Sequence, residues 1–414
     1  LALSGLFPDT IEPIRAAFEG LLPQENIRVW HAPGPVREED PNNHSRREVA
    51  ELVREAFLAS LQPDVLHITS LFEGFVDDAV TSIGRFDRQT LVSVSLYDLI
   101  PLLNPDQYLK PNPPYAAYYE RKIQWLRQAG ALLAISAYAR QEGIDCLSVE
   151  AARITNVSTA IGPEFRPIAV SEELDRALYR KIGLTRPFVL YTGGADERKN
   201  LPRLIEAWSA LPPALRTTHQ LLFAGKMPEG DIVKFRCIAR SHGLQPDELQ
   251  FSGYVSDEEL VQLYNLCKLY VFPSWHEGFG LPALEAMACG APVIGANTTS
   301  LPEVIGLEEA LFDPLDAMAI RDKMGKALTA PDFLARLRDH GSTQCKRFTW
   351  DETALRAIGA WQNHVNAPAT TAANATQQAN RLRPDLPGAI APYLGGASAE
   401  QLLSLAAQVA QNES

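Results

Sequence analysis

From residue 186 to residue 296 short apolar runs alternate with amphipathic stretches, in the order "RPFVLYTGG", "NLPRLIEAWSAL", "HQLLFAG", "DIVKFRCIARSHGL", "ELQFSGYV", "SDEELVQLYNLC", "KLYVFPS", a helix opening at Leu281, and "APVIGA". A chain that returns to a strand after every helix lays those strands parallel, because a parallel neighbour is reached only through a crossover of about a dozen residues. The local signals agree. Ser256 and Glu259 have the spacing of a capping box, Pro282 suits the first turn of a helix, and Gly290 with Pro292 marks its end. The N-terminal half repeats the rhythm with "PDVLHITS", "LVSVSLYDLIP", a helix around "YAAYYERKIQWLRQAG", "ALLAISA" and "ARITNVSTA". The expected fold class is therefore α/β, with two doubly wound Rossmann-like domains.

Gly162, Pro163 and Pro167 interrupt the pattern, which sets the domains at 1–165 and 166–349. Residues 350–365 read as one more helix. In 366–414, "NAPATTAANATQQAN" reads as a linker and "SAEQLLSLAAQVAQN" as a terminal helix. That helix has almost no basic residues, so it suits a partner or a further domain of the same polypeptide better than a membrane. "LALSGLFPDT" reads as a strand entering a loop. The chain is accordingly expected to be a fragment that lacks the first strand and loop of its N-terminal sheet.

A length of 414 residues allows two cores, and 38 Lys and Arg against 50 Asp and Glu give a net charge of −12. That balance disfavours nucleic acid as the main partner, so an anionic ligand must be held locally. Five cysteines without C-x-x-C spacing argue against a disulfide framework and for a reducing, cytoplasmic setting. No apolar run approaches the ~18 residues of a spanning helix, and the opening residues do not form a signal peptide. Any membrane association is expected to be peripheral.

In open parallel sheets ligands bind beyond the carboxyl ends of the strands, so the loops that follow strands hold the candidates. In "YTGGADERKN", Gly193 and Gly194 permit a tight turn, Arg198 and Lys199 supply cations, and Asn200 is placed to cap the next helix. Cations beside a helix N-terminus suit a diphosphate; a plain surface turn is the alternative. In "HEGFGLPALEAMACG", Gly278 and Gly280 leave the backbone open to a ligand, and the helix from Leu281 aims its positive end there. Glu277 and Glu285 span eight helical residues, a rise of ~12 Å, which does not match the ~5–9.5 Å separation of a hydrolase pair. They must do separate work, one holding a transferred sugar and the other a ribose, unless both are solvated. Asp98 either orients an acceptor or sugar hydroxyl or caps the next turn, and Ser136 reads as a helix cap. His276 lacks metal-ligand partners and reads as structural. Asp77 and Asp78 are adjacent rather than alternate, a poor divalent-metal site. Neither a metal nor a cofactor is expected.

The stretches "GGADERKN", "FSGYVSDEELVQLYNLCKLYVFPSWHEGFGLPALEAMACGAPVI" and "TSLPEVIG" resemble, in order, those of the retaining glycosyltransferases of family 4. This is a GT-B group that includes many bacterial mannosyltransferases. The resemblance implies two domains facing across a cleft, with the 350–365 helix returning to the first. It also implies Glu277 on the donor sugar, Glu285 on the ribose, and the backbone of Gly278, Phe279, Gly280 and Leu281 at the sugar and phosphates. Lys199 would grip the diphosphate, and Asp98 would stand by the reacting hydroxyls. Many members have arginine where Gly194 stands, so the clamp leans on Lys199 and Arg198. Tyr97 stands where many have histidine, so that imidazole's role is not carried over. The implied activity is a metal-independent, retaining transfer of a hexose from a nucleotide-sugar donor, with GDP-mannose as the guess. The acceptor would be a glycan or lipid-linked hydroxyl in surface polysaccharide synthesis, at the inner face of a bacterial membrane. The alternatives are a catalytically silent or accessory module of a larger protein and, less in keeping with the Glu277–Glu285 motif, a sugar-nucleotide epimerase.

Overall fold

The computed structural model describes residues 1–169 and 172–365 together with Leu386. The expected linker and terminal helix of 366–414 lie outside these residues, Leu386 apart. Twelve strands fall into three parallel sheets among the described residues. The larger sheet is built from β7 (Phe188–Thr192), β8 (Gln220–Ala224), β9 (Leu249–Phe251), β10 (Leu269–Phe272), β11 (Val293–Ala296) and β12 (Leu311–Phe312). Its order is β12-β11-β10-β7-β8-β9. Growth thus starts at β7, runs outward through β8 and β9, and then reverses to the other side of β7. Its core is apolar and dense, with every residue of β7, β8, β10 and β11 buried.

The N-terminal lobe contains a four-stranded sheet, β3 (Val65–Ile68), β4 (Leu91–Leu96), β5 (Ala131–Ala134) and β6 (Ile154–Asn156). A separate pair, β1 (Ala2–Ser4) and β2 (Arg28–Trp30), precedes it. β1 leads through a short turn into a helix, Pro8–Ala17, with proline in its first turn, where the sequence suggested only a loop. Trp30 of β2 shares a small core with Ala50, Phe57 and Leu58 of the helix His44–Ser60. The helix Trp350–Val365 packs on this lobe: Ala357 and Ala360 meet Leu133 and Val157, and the Trp361 indole N–H donates to Ser93 Oγ at 2.8 Å. Among the described residues no helix is long and apolar enough to cross a membrane.

Candidate active site

The reversal of strand order between β7 and β10 opens a crevice beyond their carboxyl ends, where the loops that follow them diverge. The β7 loop carries Gly193 to Asn200, and the β10 loop carries Trp275 to Gly280. The two loops are joined by one backbone and one side-chain hydrogen bond. Trp275 N–H donates to Arg198 O at 3.0 Å, and Arg198 Nη1 donates to His276 O at 3.0 Å. The fold therefore places the two glycine-bearing loops side by side at the switch point.

Between them sits a cluster of opposite charges. The Glu277 carboxylate lies 2.6 Å from Lys199 Nζ and 2.8 Å from Arg198 Nη1, with its side chain only 10 % exposed. Asp196 stands 3.6 Å from Arg198 on the other side and also accepts from the Tyr108 hydroxyl of the N-terminal lobe at 2.7 Å. Burial lowers the Lys199 pKa from its ordinary value, against the pull of Glu277. For Arg198, burial acts in the same sense and is the largest single influence, but Glu277, Asp196 and Tyr108 together outweigh it and the pKa rises. Lys199 also lies over the Phe272 ring, 5.4 Å from its centroid. Gly193 N–H continues the ladder to Ala224 O at 3.0 Å, and exposed Gly194 accepts from the Tyr191 hydroxyl at 2.9 Å. Asn200 does not cap its helix as expected: its side-chain amide donates to Pro273 O and Pro314 O, fastening the β7 loop to its neighbours.

The 278–280 turn is fixed from both lobes. A Cβ on Gly278 would lie 2.5 Å from Tyr97 O and 3.1 Å from Asp98 Cβ, so only glycine lets the lobes approach this closely. Gly280 adopts φ 106°, a left-handed conformation that glycine tolerates, and the helix Leu281–Ala288 starts directly after it. Ser136 caps its helix through Ala139 N–H, as expected, and also donates to Gly278 O at 2.6 Å across the cleft. The buried Ser300 hydroxyl reaches both Glu277 O (2.9 Å) and Phe279 O (2.7 Å), and Glu277 N–H donates to Thr299 Oγ1. Thr299 itself has φ 54°, strained for a β-branched residue and concentrated here, where the turn must be held. Phe279 turns its side chain into the core against Phe348 and offers only its backbone to the cleft, while Leu281 is partly exposed beside it.

Asp98 adjoins this turn and accepts from Ile100 N–H at 3.1 Å, so it caps the next turn while facing the cleft; burial raises its pKa. Glu285 stands apart from the clamp. It accepts from the Tyr264 hydroxyl at 2.8 Å, and Tyr264 continues through Thr192 Oγ1 to Tyr270. Burial raises the Glu285 pKa, and the Tyr264 hydrogen bond partly offsets that. His276 proves to be an inter-lobe residue: its Nε2 lies 2.6 Å from Glu142 Oε1, and Glu142 Oε2 accepts from Leu99 N–H. Glu303 forms a second bridge, accepting from Ala137 N–H at 2.8 Å. Sequence reading missed Glu142, Tyr108, Tyr264, Thr299, Ser300 and Glu303. Thr299 and Ser300 follow a strand and were open to the same loop rule; Tyr264 and Glu303 lie within the stretches that carry the family resemblance, and Glu142 and Tyr108 have no local signal.

Residues 178–344, which contain both loops of the crevice, match the family model of the Glycosyl transferases group 1. This segment is similar in sequence to the glycosyl transferases of that group. The chain is 39 % identical over 359 residues to the serotype-specific mannosyltransferase WbdA of Escherichia coli, across 86 % of this chain and 44 % of that protein. It thus spans less than half the length of that relative. It is also 33 % identical over 247 residues to the O-antigen chain mannosyltransferase B of Escherichia coli, covering 59 % of this chain and 64 % of the other. In fold, it superposes on Anabaena HepE, solved in complex with UDP and glucose, with a TM-score of 0.60 at 16 % identity, over 86 % of this chain and 98 % of that one. The C-terminal domain and the N-terminal lobe together have the GT-B fold.

Proposed function

We propose that this chain transfers a hexose, mannose from GDP-mannose, to a hydroxyl of a glycan or lipid-linked glycan, with retention of anomeric configuration and without a metal or cofactor. The observation that carries the reading is the convergence of the Lys199 ammonium with the 278–280 turn at the switch point, through Glu277 at 2.6 Å. The Escherichia coli relatives, a serotype-specific mannosyltransferase and an O-antigen chain mannosyltransferase, support mannose and O-antigen synthesis.

In this reading Lys199, Arg198 and the positive end of the helix Leu281–Ala288 meet the charge that grows on the departing diphosphate. Glu277 accepts hydrogen bonds from the sugar, and Glu285 from the ribose. Asp98 orients the acceptor hydroxyl. As the bond from the anomeric carbon to phosphate oxygen breaks, the acceptor oxygen bonds to the same face of that carbon, and its proton passes to the leaving phosphate. The site belongs at the cytoplasmic face of a membrane, where lipid-linked acceptors are presented.

The test is turnover of GDP-mannose with a mannan acceptor, the product anomer being read by NMR. Lys199→Ala should lower kcat/KM by ~10²–10³-fold, the scale of losing one preorganised charge partner. An unchanged kcat/KM removes Lys199 from the clamp, and an inverted anomer refutes retention.

A further inference from the structure

The clamp is an anion site that already holds its own anion. Two cations, Arg198 and Lys199, face two carboxylates, Glu277 and Asp196, within ion-pair distance. Glu277 touches both cations at once and is the more deeply placed of the two acids, at 10 % side-chain exposure against 37 % for Asp196. By formal charge the group is neutral, so an incoming diphosphate gains no net attraction from it. To reach the cations it must share or displace the Glu277 carboxylate, and a buried carboxylate stripped of its partners carries a large desolvation cost.

That cost depends on what the diphosphate carries. A bare diphosphate brings only acceptor oxygens, which cannot donate to Glu277, and leaves that carboxylate facing more negative charge. A diphosphate bearing a sugar brings hydroxyl donors to the same place and satisfies the carboxylate as its cations turn to the phosphates. We infer that Glu277 is the counter-anion of the Arg198–Lys199 clamp, and that it makes the site select a sugar-bearing diphosphate over a bare one, expelling the nucleoside diphosphate once the sugar has left. The inference rests on the reading of the crevice as a sugar-nucleotide site.

The test is calorimetric titration of inorganic pyrophosphate, GDP and GDP-mannose into the whole chain as wild type, Glu277→Gln and Glu277→Asp, each checked for folding by thermal melting. Glu277→Gln removes the charge and keeps the shape. It should bind pyrophosphate and GDP about tenfold more tightly or better, while GDP-mannose gains much less, so that the Kd ratio of GDP to GDP-mannose falls by about tenfold. Glu277→Asp keeps the charge and should hold both bare diphosphates within about threefold of wild type. Unchanged or weaker pyrophosphate binding in folded Glu277→Gln overturns the inference. So does an equal gain for GDP and GDP-mannose, or a tenfold gain in Glu277→Asp. Pyrophosphate has neither base nor sugar, so this arm reports on the clamp whatever the donor is. Failure of the donor reading shows instead as wild type that does not turn over GDP-mannose.

Discussion

The two lobes are held together by different physics. In the C-terminal lobe the strands that carry the clamp loops are buried along their whole length by aliphatic and aromatic side chains. In the N-terminal lobe the helix His44–Ser60 buries Arg47, Glu48, Glu51, Arg54 and Glu55 alongside its apolar residues. Glu48 pairs with Arg85, Glu51 lies 3.3 Å from Arg85, and Glu55 accepts from Ser82 Oγ and from the Phe86 and Asp87 amides. Apolar packing tolerates changes of pH and salt, whereas a buried polar network is sound only while every member keeps its partner. The lobe that must hold two loops in register thus has the less sensitive core, with its buried charge in the crevice, at Glu285 and in the Arg216–Glu248 pair at 3.0 Å.

The sharpest way to break this contrast is to truncate one member of each core. Leu222→Ala, in fully buried β8, should cost ~2–5 kcal/mol in denaturant unfolding, with little dependence on salt. Glu55→Gln leaves one amide oxygen where a carboxylate served three donors and should cost ~1–3 kcal/mol. A larger loss from Glu55→Gln than from Leu222→Ala would reverse the comparison.

The smallest effect tests the exception within the apolar lobe. Burial raises the Glu285 pKa, so the folded state holds that proton more tightly than the unfolded chain. Its contribution to stability is complete below the ordinary carboxylate range and is lost as pH rises through the raised value, by about 1.4 kcal/mol for every tenfold difference in proton affinity between folded and unfolded chain. Wild type should therefore gain stability relative to Glu285→Gln as pH falls through the weakly acidic range. On the proposed ribose role it should also lose GDP affinity over the same interval, because the protonated acid is a weaker acceptor than the carboxylate. Melting curves across pH that run parallel for the two proteins would contradict this.

The same contrast governs what could be read from the sequence. The strands of the C-terminal sheet appear as apolar runs because both faces are buried and the few polar side chains admitted, such as Thr192 and Gln220, are hydrogen-bonded, and the loops after them can be searched directly. The helix His44–Ser60 is hidden, since "HSRREVAELVREAFLAS" places charge on the face it buries and such residues read as solvated. Within the site, Glu277, Lys199 and the glycine turn are legible because loop position and residue type suffice. The pairing of His276 with Glu142 joins residues 134 positions apart, and the donation of Ser136 to Gly278 joins residues 142 apart. Neither has a local pattern; each follows from how one lobe sits on the other. Asn200 misleads for a related reason, because its side chain finds two carbonyls from distant loops in place of its own helix.

The most direct measurement is a crystal structure of the chain with GDP-mannose, or with GDP where turnover is fast. The pyrophosphate should lie between the Lys199 ammonium and the backbone of residues 278–280, with Glu277 turned to the sugar and Glu285 to the ribose. A pyrophosphate bound elsewhere in the cleft, with Lys199 still paired only to Glu277, would contradict it.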